Sequence, residues 1–163
     1  MDQEKFEDKL LKIAGDPAVR WMQAFSELLG SGAQQDLSVW GLVSQLEEKY
    51  AGEYMHLMNL EDMAWKGSPF MACFDSRKTA ESAPGHLLTA QIPVRLFLIH
   101  AYTREGCLGI RLNPGREDKM LPLKMISEHL PDEVREEIRQ VQAEKRLLAL
   151  AAGRTPDLPV LIG

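Results

Sequence analysis

The sequence predicts an α/β chain of the α+β kind: a small mixed β-sheet covered by N-terminal helices and one long C-terminal helix. Three observations predict it. Apolar residues recur at three- and four-residue spacing near both ends, the period of a half-buried helix. Between them lie short, nearly continuous apolar runs bounded by turn formers, which is how buried strands read. Finally, 163 residues, 45% hydrophobic and 26% charged with a mean hydropathy of −0.23, are material for one packed domain.

The first segment carries Phe6, Leu10 and Ile13 on one helical face, widened by Leu11 and Ala14, and Gly15 stops it. Asp16 and Pro17 then suit the cap and first position of a second helix, because an aspartate accepts a free backbone N–H and a proline there loses only a donor that had no partner. Met22, Phe25, Leu28 and Leu29 form the buried face of that helix, Trp21 flanks it, and Gly30-Ser31-Gly32 is expected to end it. A third helix is expected over Val39, Leu42, Val43, Leu46 and Tyr50, capped by Asp36 or Ser38 and closed by Ala51-Gly52.

Beyond residue 52 the period changes. Tyr54 to Met58 and Phe70 to Phe74 read as strands, and the second runs through Asp75-Ser76 into a short helix from Arg77 to Ala83, ended by Pro84-Gly85. Leu87 to Ile92 is a third strand. Pro93 then either opens a short helix through Val94, Phe97, Leu98 and Ala101 or lets the strand continue. Cys107 to Leu112 is the last expected strand, Asn113-Pro114-Gly115 a tight turn, and Leu123 to His129 a short helix. Pro131-Asp132-Glu133 opens the long helix with acidic residues where its dipole favours them. Val134, Ile138, Val141 and Leu148 form its stripe, and Gly153 stops it. The whole is read as one domain over 1–163: a helical part at 1–52, a sheet-containing core at 53–130, the helix at 131–153 and an apolar tail at 154–163.

Nineteen basic against 24 acidic residues give a formal net charge of −5, which opposes the long-range attraction that phosphate backbones and anionic lipid surfaces require. Neither nucleic acid nor membrane is expected as a partner. No basic, apolar leader and no run of about 18 apolar residues is visible. The two cysteines, Cys73 and Cys107, are too few for a bridged secreted scaffold, so a cytoplasmic location is expected.

Glycines stand singly, in neither dinucleotide nor phosphate-loop spacing, and the histidines and cysteines lack the paired spacing of zinc ligands, so no cofactor and no metal are expected. Three chemistries remain as candidates. Cys73 ends a strand just before a helix start, and with His86 or His100 it would make a nucleophile and base for a small hydrolase or transferase; the plainer reading is a buried, inert thiol. Ser76, Arg77 and Lys78 at a helix start suit an anion, or simply a cap with solvated charges. The eight methionines, Met55, Met58, Met63 and Met71 among them, would line an adaptable sensor pocket or fill core gaps.

The segments FEDKLLKIAGDPAVRWMQAFSELLGSG, SPFMACFDSRKTAES, IPVRLFLIHA and CLGIRLNPGREDKMLPLKMI together resemble the N-terminal domain of the bacterial SseB (enhanced serine sensitivity) family. Phe74, Asp75 and Ser76, then Pro93 and Arg95, then Leu112 to Gly115 occupy the matching steps, over roughly 4–30 and 67–128. Members pass quickly from the helix pair into a strand, where this chain reads as helical over 33–50, and they often carry a further C-terminal domain. The resemblance implies an α/β domain of a cytosolic bacterial protein and transfers no catalytic residue.

The reading that follows is a non-enzymatic interaction or regulatory domain, pairing with a protein partner or with itself. The tail residues Leu158, Val160, Leu161 and Ile162 and the helix residues Ile138, Val141 and Leu148 are the expected contact surface, with the tail a candidate pairing strand.

Overall fold

In a computed structural model the structure describes residues 1–18, 20–44, 68–83 and 87–162. The expected strand at 54–58, His86, Met55, Met58, Met63, Leu46, Tyr50, Pro84-Gly85 and the closing Ala51-Gly52 lie outside them. The fold is α+β. Helices α1 (Gln3–Gly15) and α2 (Trp21–Gln34) lead into strand β1 (Ser38–Ser44). After them come β2 (Phe70–Cys73), α3 (Arg77–Glu81), β3 (Leu87–Pro93), α4 (Val94–Thr103), β4 (Gly109–Leu112), β5 (Lys119–Pro122), α5 (Leu123–Ile126) and α6 (Asp132–Ala151).

The strands form two small sheets. β1 pairs antiparallel with β3, Ser38 opposite Pro93, while β4 lies between β2, parallel to it, and β5, antiparallel to it. One antiparallel bridge joins the sheets, the Phe74 N–H donating to the Trp40 carbonyl at 2.9 Å. The helix expected over 39–50 is thus a strand in its described part. Its two faces explain the misreading. Leu37 and Val39 point into the main core, whereas Leu42 and Trp40 pack on a second cluster with Ala72, Phe74 and Ala80. A strand buried on both sides loses the alternation that marks it, and Val39, Leu42 and Val43 then fall at helical spacing by chance. β2 is divided the same way, Met71 and Cys73 toward the main core and Ala72 and Phe74 toward the small one that α3 covers.

The main core is built by Phe6 and Leu10 of α1, Phe25 and Leu29 of α2, Phe97 and Leu98 of α4 and Ile138 of α6, closed against Ile110 and Leu112 of β4. Tyr102 is buried at its centre, and its hydroxyl donates to the Leu123 carbonyl at 2.5 Å, anchoring α5 to α4. Burial pushes that phenol up to about 12, so it stays a donor throughout the physiological range.

Helix limits differ from expectation in two places. Asp16 caps nothing in α2, which starts at Trp21; its carboxylate accepts the Ala18 N–H at 2.8 Å and closes the turn after α1. Gly30-Ser31-Gly32 does not end α2 either, which runs on to Gln34. Both glycines are close-approach points instead: a Cβ on Gly30 would collide with the His129 carbonyl, and one on Gly32 would sit 2.8 Å from the Phe6 ring. α6 turns the expected Val134 and Ile138 inward, with Val141 half-buried, but near its end Ala149 rather than Leu148 faces the core. Val134, Ile138, Gln142 and Ala149 are buried, while Leu148 is 72% exposed. Gln142 is admitted because its amide donates to the Tyr102 carbonyl at 2.7 Å and the Pro159 carbonyl at 2.8 Å, and a satisfied polar group costs little to bury.

β5 was not expected. The loop before it begins at Asn113 and ends at Asp118, both at positive φ (51° and 52°), and a two-bond pair of Arg111 with Asp118, at 2.8 and 2.6 Å, locks the β4–β5 hairpin. The tail after Gly153 forms no strand among the described residues. It folds back along α6, held by Gly106 N–H to Asp157 O at 2.9 Å, Gln142 to Pro159, and Arg135 to Ile162 O at 2.6 Å.

Candidate functional site

Two places concentrate groups that secondary structure alone does not explain. The first is a polar knot at the C-terminal end of β2. The turn after β4 places Asn113 beside Asp75: its side-chain amide donates to Asp75 Oδ2 at 2.8 Å and its Oδ1 accepts the Asp75 N–H at 3.0 Å. The Asn113 N–H in turn donates to the Cys73 carbonyl at 2.9 Å. Both side chains are buried, and Asp75 Oδ1 has no hydrogen-bond partner. An uncompensated oxygen on a buried carboxylate is costly, so its presence singles out this spot.

Cys73 lies at the base of the knot, wholly buried. Burial first, and the Asp75 carboxylate second, push its thiol far above the usual cysteine range. That is the reverse of what a nucleophile needs, since only the thiolate attacks. Cys107 is also buried and raised by desolvation, its Sγ donating to the Gly109 carbonyl at 3.5 Å. His100 is half-buried on α4, and Met71 is sealed in the core. Iodoacetamide at pH 8 is therefore expected to leave both thiols unmodified in the native protein and to label both after unfolding in guanidinium, read by intact mass. Fast native labelling of Cys73 would restore the thiol chemistry considered for it.

Ser76, Arg77 and Lys78 do not converge on an anion. Ser76 Oγ accepts the Thr79 N–H at 3.2 Å as the cap of a five-residue helix, and Arg77 pairs with Glu81 at 2.7 Å with its guanidinium 5.9 Å from the Trp40 ring centre. Asp75, immediately before them, brings a negative charge where an anion would sit.

The second place is apolar. Where the tail lies beside the 106–108 turn and the start of α5, a cleft of about 620 Å³ opens, bordered by Phe70, Leu108, Pro122, Leu158, Val160 and Ile162. Leu108, Val160 and Ile162 are respectively 60%, 76% and 54% exposed. At the end of α6, Leu147 and Leu150 are as exposed as Leu148. Of the residues expected to meet a partner, Leu148, Val160 and Ile162 stand in solvent, Leu158 lines the cleft, and Val141 and Leu161 are half-buried against the core. Ile138 is fully buried and reaches no outer surface, because the inward face of α6 is centred on it. Sequence reasoning missed Leu108, Leu147 and Leu150. The leucine run was legible as apolar, but in the last turns of the helix Leu148 was read as inward, whereas the buried positions there are Gln142 and Ala149.

Among the described residues no helix is long and apolar enough to cross a membrane, and no group of three or more His, Cys, Asp or Glu side chains is placed to hold a metal ion. No family model, no curated protein and no solved structure matches this chain.

Proposed function

We propose that this chain is a non-enzymatic protein-interaction domain that docks another polypeptide, a second copy or a different protein, on its C-terminal apolar surface. The observation that carries it is the apolar cleft bordered by the exposed Leu108, Val160 and Ile162, with Leu147, Leu148 and Leu150 also exposed at the end of α6. Singly exposed leucines are ordinary, whereas several exposed apolar side chains around one cleft mark a contact surface. The two unpaired, buried thiols fit work in a reducing cytoplasm, and the SseB resemblance transfers no catalytic residue to this chain.

Deleting the tail is a poor test, because its hydrogen bonds to Gln142, Arg135 and Gly106 make it part of the fold. Point changes on exposed atoms are better. Leu147→Lys and Val160→Asp are expected to change stability by less than about 0.5 kcal/mol, since neither side chain packs inward and lysine suits the C-terminal part of a helix. Each is expected to shift the mass measured by light scattering from an assembly to the single chain, or to abolish retention of a purified partner. A wild-type protein that stays a single chain at high concentration, with partner retention indifferent to both changes, would overturn the reading.

A further inference from the structure

We propose that two copies of this chain exchange their tails, each laying residues 154–162 along α6 of the other, with Gly153 as the hinge. The proposal rests on the reading that the C-terminal surface docks another polypeptide, and it makes that polypeptide a second copy.

The first support is the way the tail is held. Arg154 pairs with Glu105 at 2.9 Å, and the same carboxylate accepts the Asp157 N–H at 3.3 Å. The Asp157 carbonyl accepts the Gly106 N–H at 2.9 Å, while the Pro159 and Ile162 carbonyls accept from the side chains of Gln142 and Arg135. Leu161 packs half-buried against the main core. Each of these contacts joins the tail to a group that an identical copy also presents. Passing the tail to a second copy therefore keeps every one of them, including the match between the cationic Arg154 and the acidic Glu105. Exchange of an identical element is for that reason a low-cost route to a dimer.

The second support is the hinge. The chain reverses at Gly153, which sits at φ 76°, with its N–H donating to the Leu150 carbonyl at 3.0 Å and the Arg154 N–H to the Ala149 carbonyl at 2.9 Å. A Cβ on Gly153 would meet nothing within 4 Å, so the reversal depends on backbone conformation and not on packing over the turn. Once the hinge straightens, the tail points onward along the helix axis, and Pro156 keeps it from being wound into the helix. An exchanged pair gains new contact only where its two hinges cross, and there the C-terminal ends of two α6 helices meet. The side chains that stand in solvent on that stretch are Leu147, Leu148 and Leu150, which the pair would cover. The apolar cleft becomes a shared site, with Phe70, Leu108 and Pro122 from one copy facing Leu158, Val160 and Ile162 from the other.

The test uses the full chain carrying Arg154→Lys, an exposed and charge-conserving change. Isotope-labelled and unlabelled samples are refolded together in equal amounts and treated with a carbodiimide, which joins the new lysine to Glu105. Exchange predicts a dimer by light scattering and, in that isolated fraction, joined peptides with one labelled and one unlabelled member. Gly153→Ala in the otherwise unchanged chain is expected to raise the dimerisation constant about a hundredfold, tenfold for each hinge, because alanine disfavours the left-handed turn and favours a straight helix. Joined peptides confined to single chains, in a dimer that Leu147→Lys still dissolves, would overturn the exchange and leave the docking reading standing. A dimer indifferent to Gly153→Ala would overturn it as well. So would the absence of any dimer of that variant at about 1 mM, the order of effective concentration at which a short tether holds a segment in place.

Discussion

Asn113→Ala is expected to destabilise the protein by about 3–5 kcal/mol, enough to unfold a large fraction of a marginally stable domain on mild warming. Three losses coincide. The Asp75 carboxylate loses its donor at Oδ2 and is left buried with neither oxygen satisfied. The Asp75 N–H loses its acceptor. The backbone at φ 51° must then hold an alanine, for which that left-handed region is about 1–2 kcal/mol unfavourable. Asn113→Gly separates the terms: it relieves the backbone cost but restores no hydrogen bond, and is expected to recover about 1 kcal/mol only. Asn113→Asp sets a second carboxylate against Asp75 and is expected to be no better than alanine at neutral pH. Urea unfolding of the three variants, with slopes compared to confirm a common transition, checks the order Gly, then Ala and Asp. An alanine variant within 1 kcal/mol of the parent, on the scale where most surface changes fall near ±0.5 kcal/mol, would show that the knot is not the stabilising element described above.

Gly30→Ala is the second large effect. In an isolated helix the change would gain about 1 kcal/mol, because glycine is a poor helix former. Here the added Cβ falls against the His129 carbonyl oxygen, with the carbonyl carbon at 3.0 Å, and the obstacle is backbone. The 127–129 turn is not free to retreat, since the Arg135 guanidinium donates to the Ser127 carbonyl and Tyr102 OH lies 2.9 Å from Ser127 Oγ. Overpacking of this kind costs about 1–3 kcal/mol and more when main chain must move, so a net loss of about 2 kcal/mol and a fall in Tm of several degrees are expected. Gly15→Ala is the matched control. Nothing lies within 4 Å of a Cβ there, so calorimetry is expected to find that variant neutral or slightly stabilised.

Much of the architecture was legible because burial on one side leaves a periodic trace. α1 and the body of α2, the strand at 70–73 and the one at 87–93 all read correctly, each having an inward face and turn chemistry at its limits, while the stretch after Pro93, legible as either helix or strand, is helical. β1 did not, because it is covered on both sides; nor did the continuation of α2 through Gly30 and Gly32, where tight packing overrides the usual meaning of glycine. Of the proposed contact surface, the tail residues were visible as apolar residues lacking a place in a helical stripe, whereas Leu148 was read into the stripe of α6 and proves exposed. The Asp75–Asn113 contact was not, since it joins residues 38 positions apart through a turn whose asparagine looked like simple punctuation.

The parallel pairing of β2 with β4 carries a consequence for the order in which the chain assembles. Phe70 meets Gly109 and Ser38 meets Pro93 only after long stretches of chain have been drawn together, so loop-closure entropy must be met before either sheet returns any stabilisation. The α1–α2 pair and the β4–β5 hairpin need no such wait. Refolding is therefore expected to show early local structure in the α1–α2 pair and the β4–β5 hairpin, with closure of β1 on β3 and of β2 on β4 setting the rate.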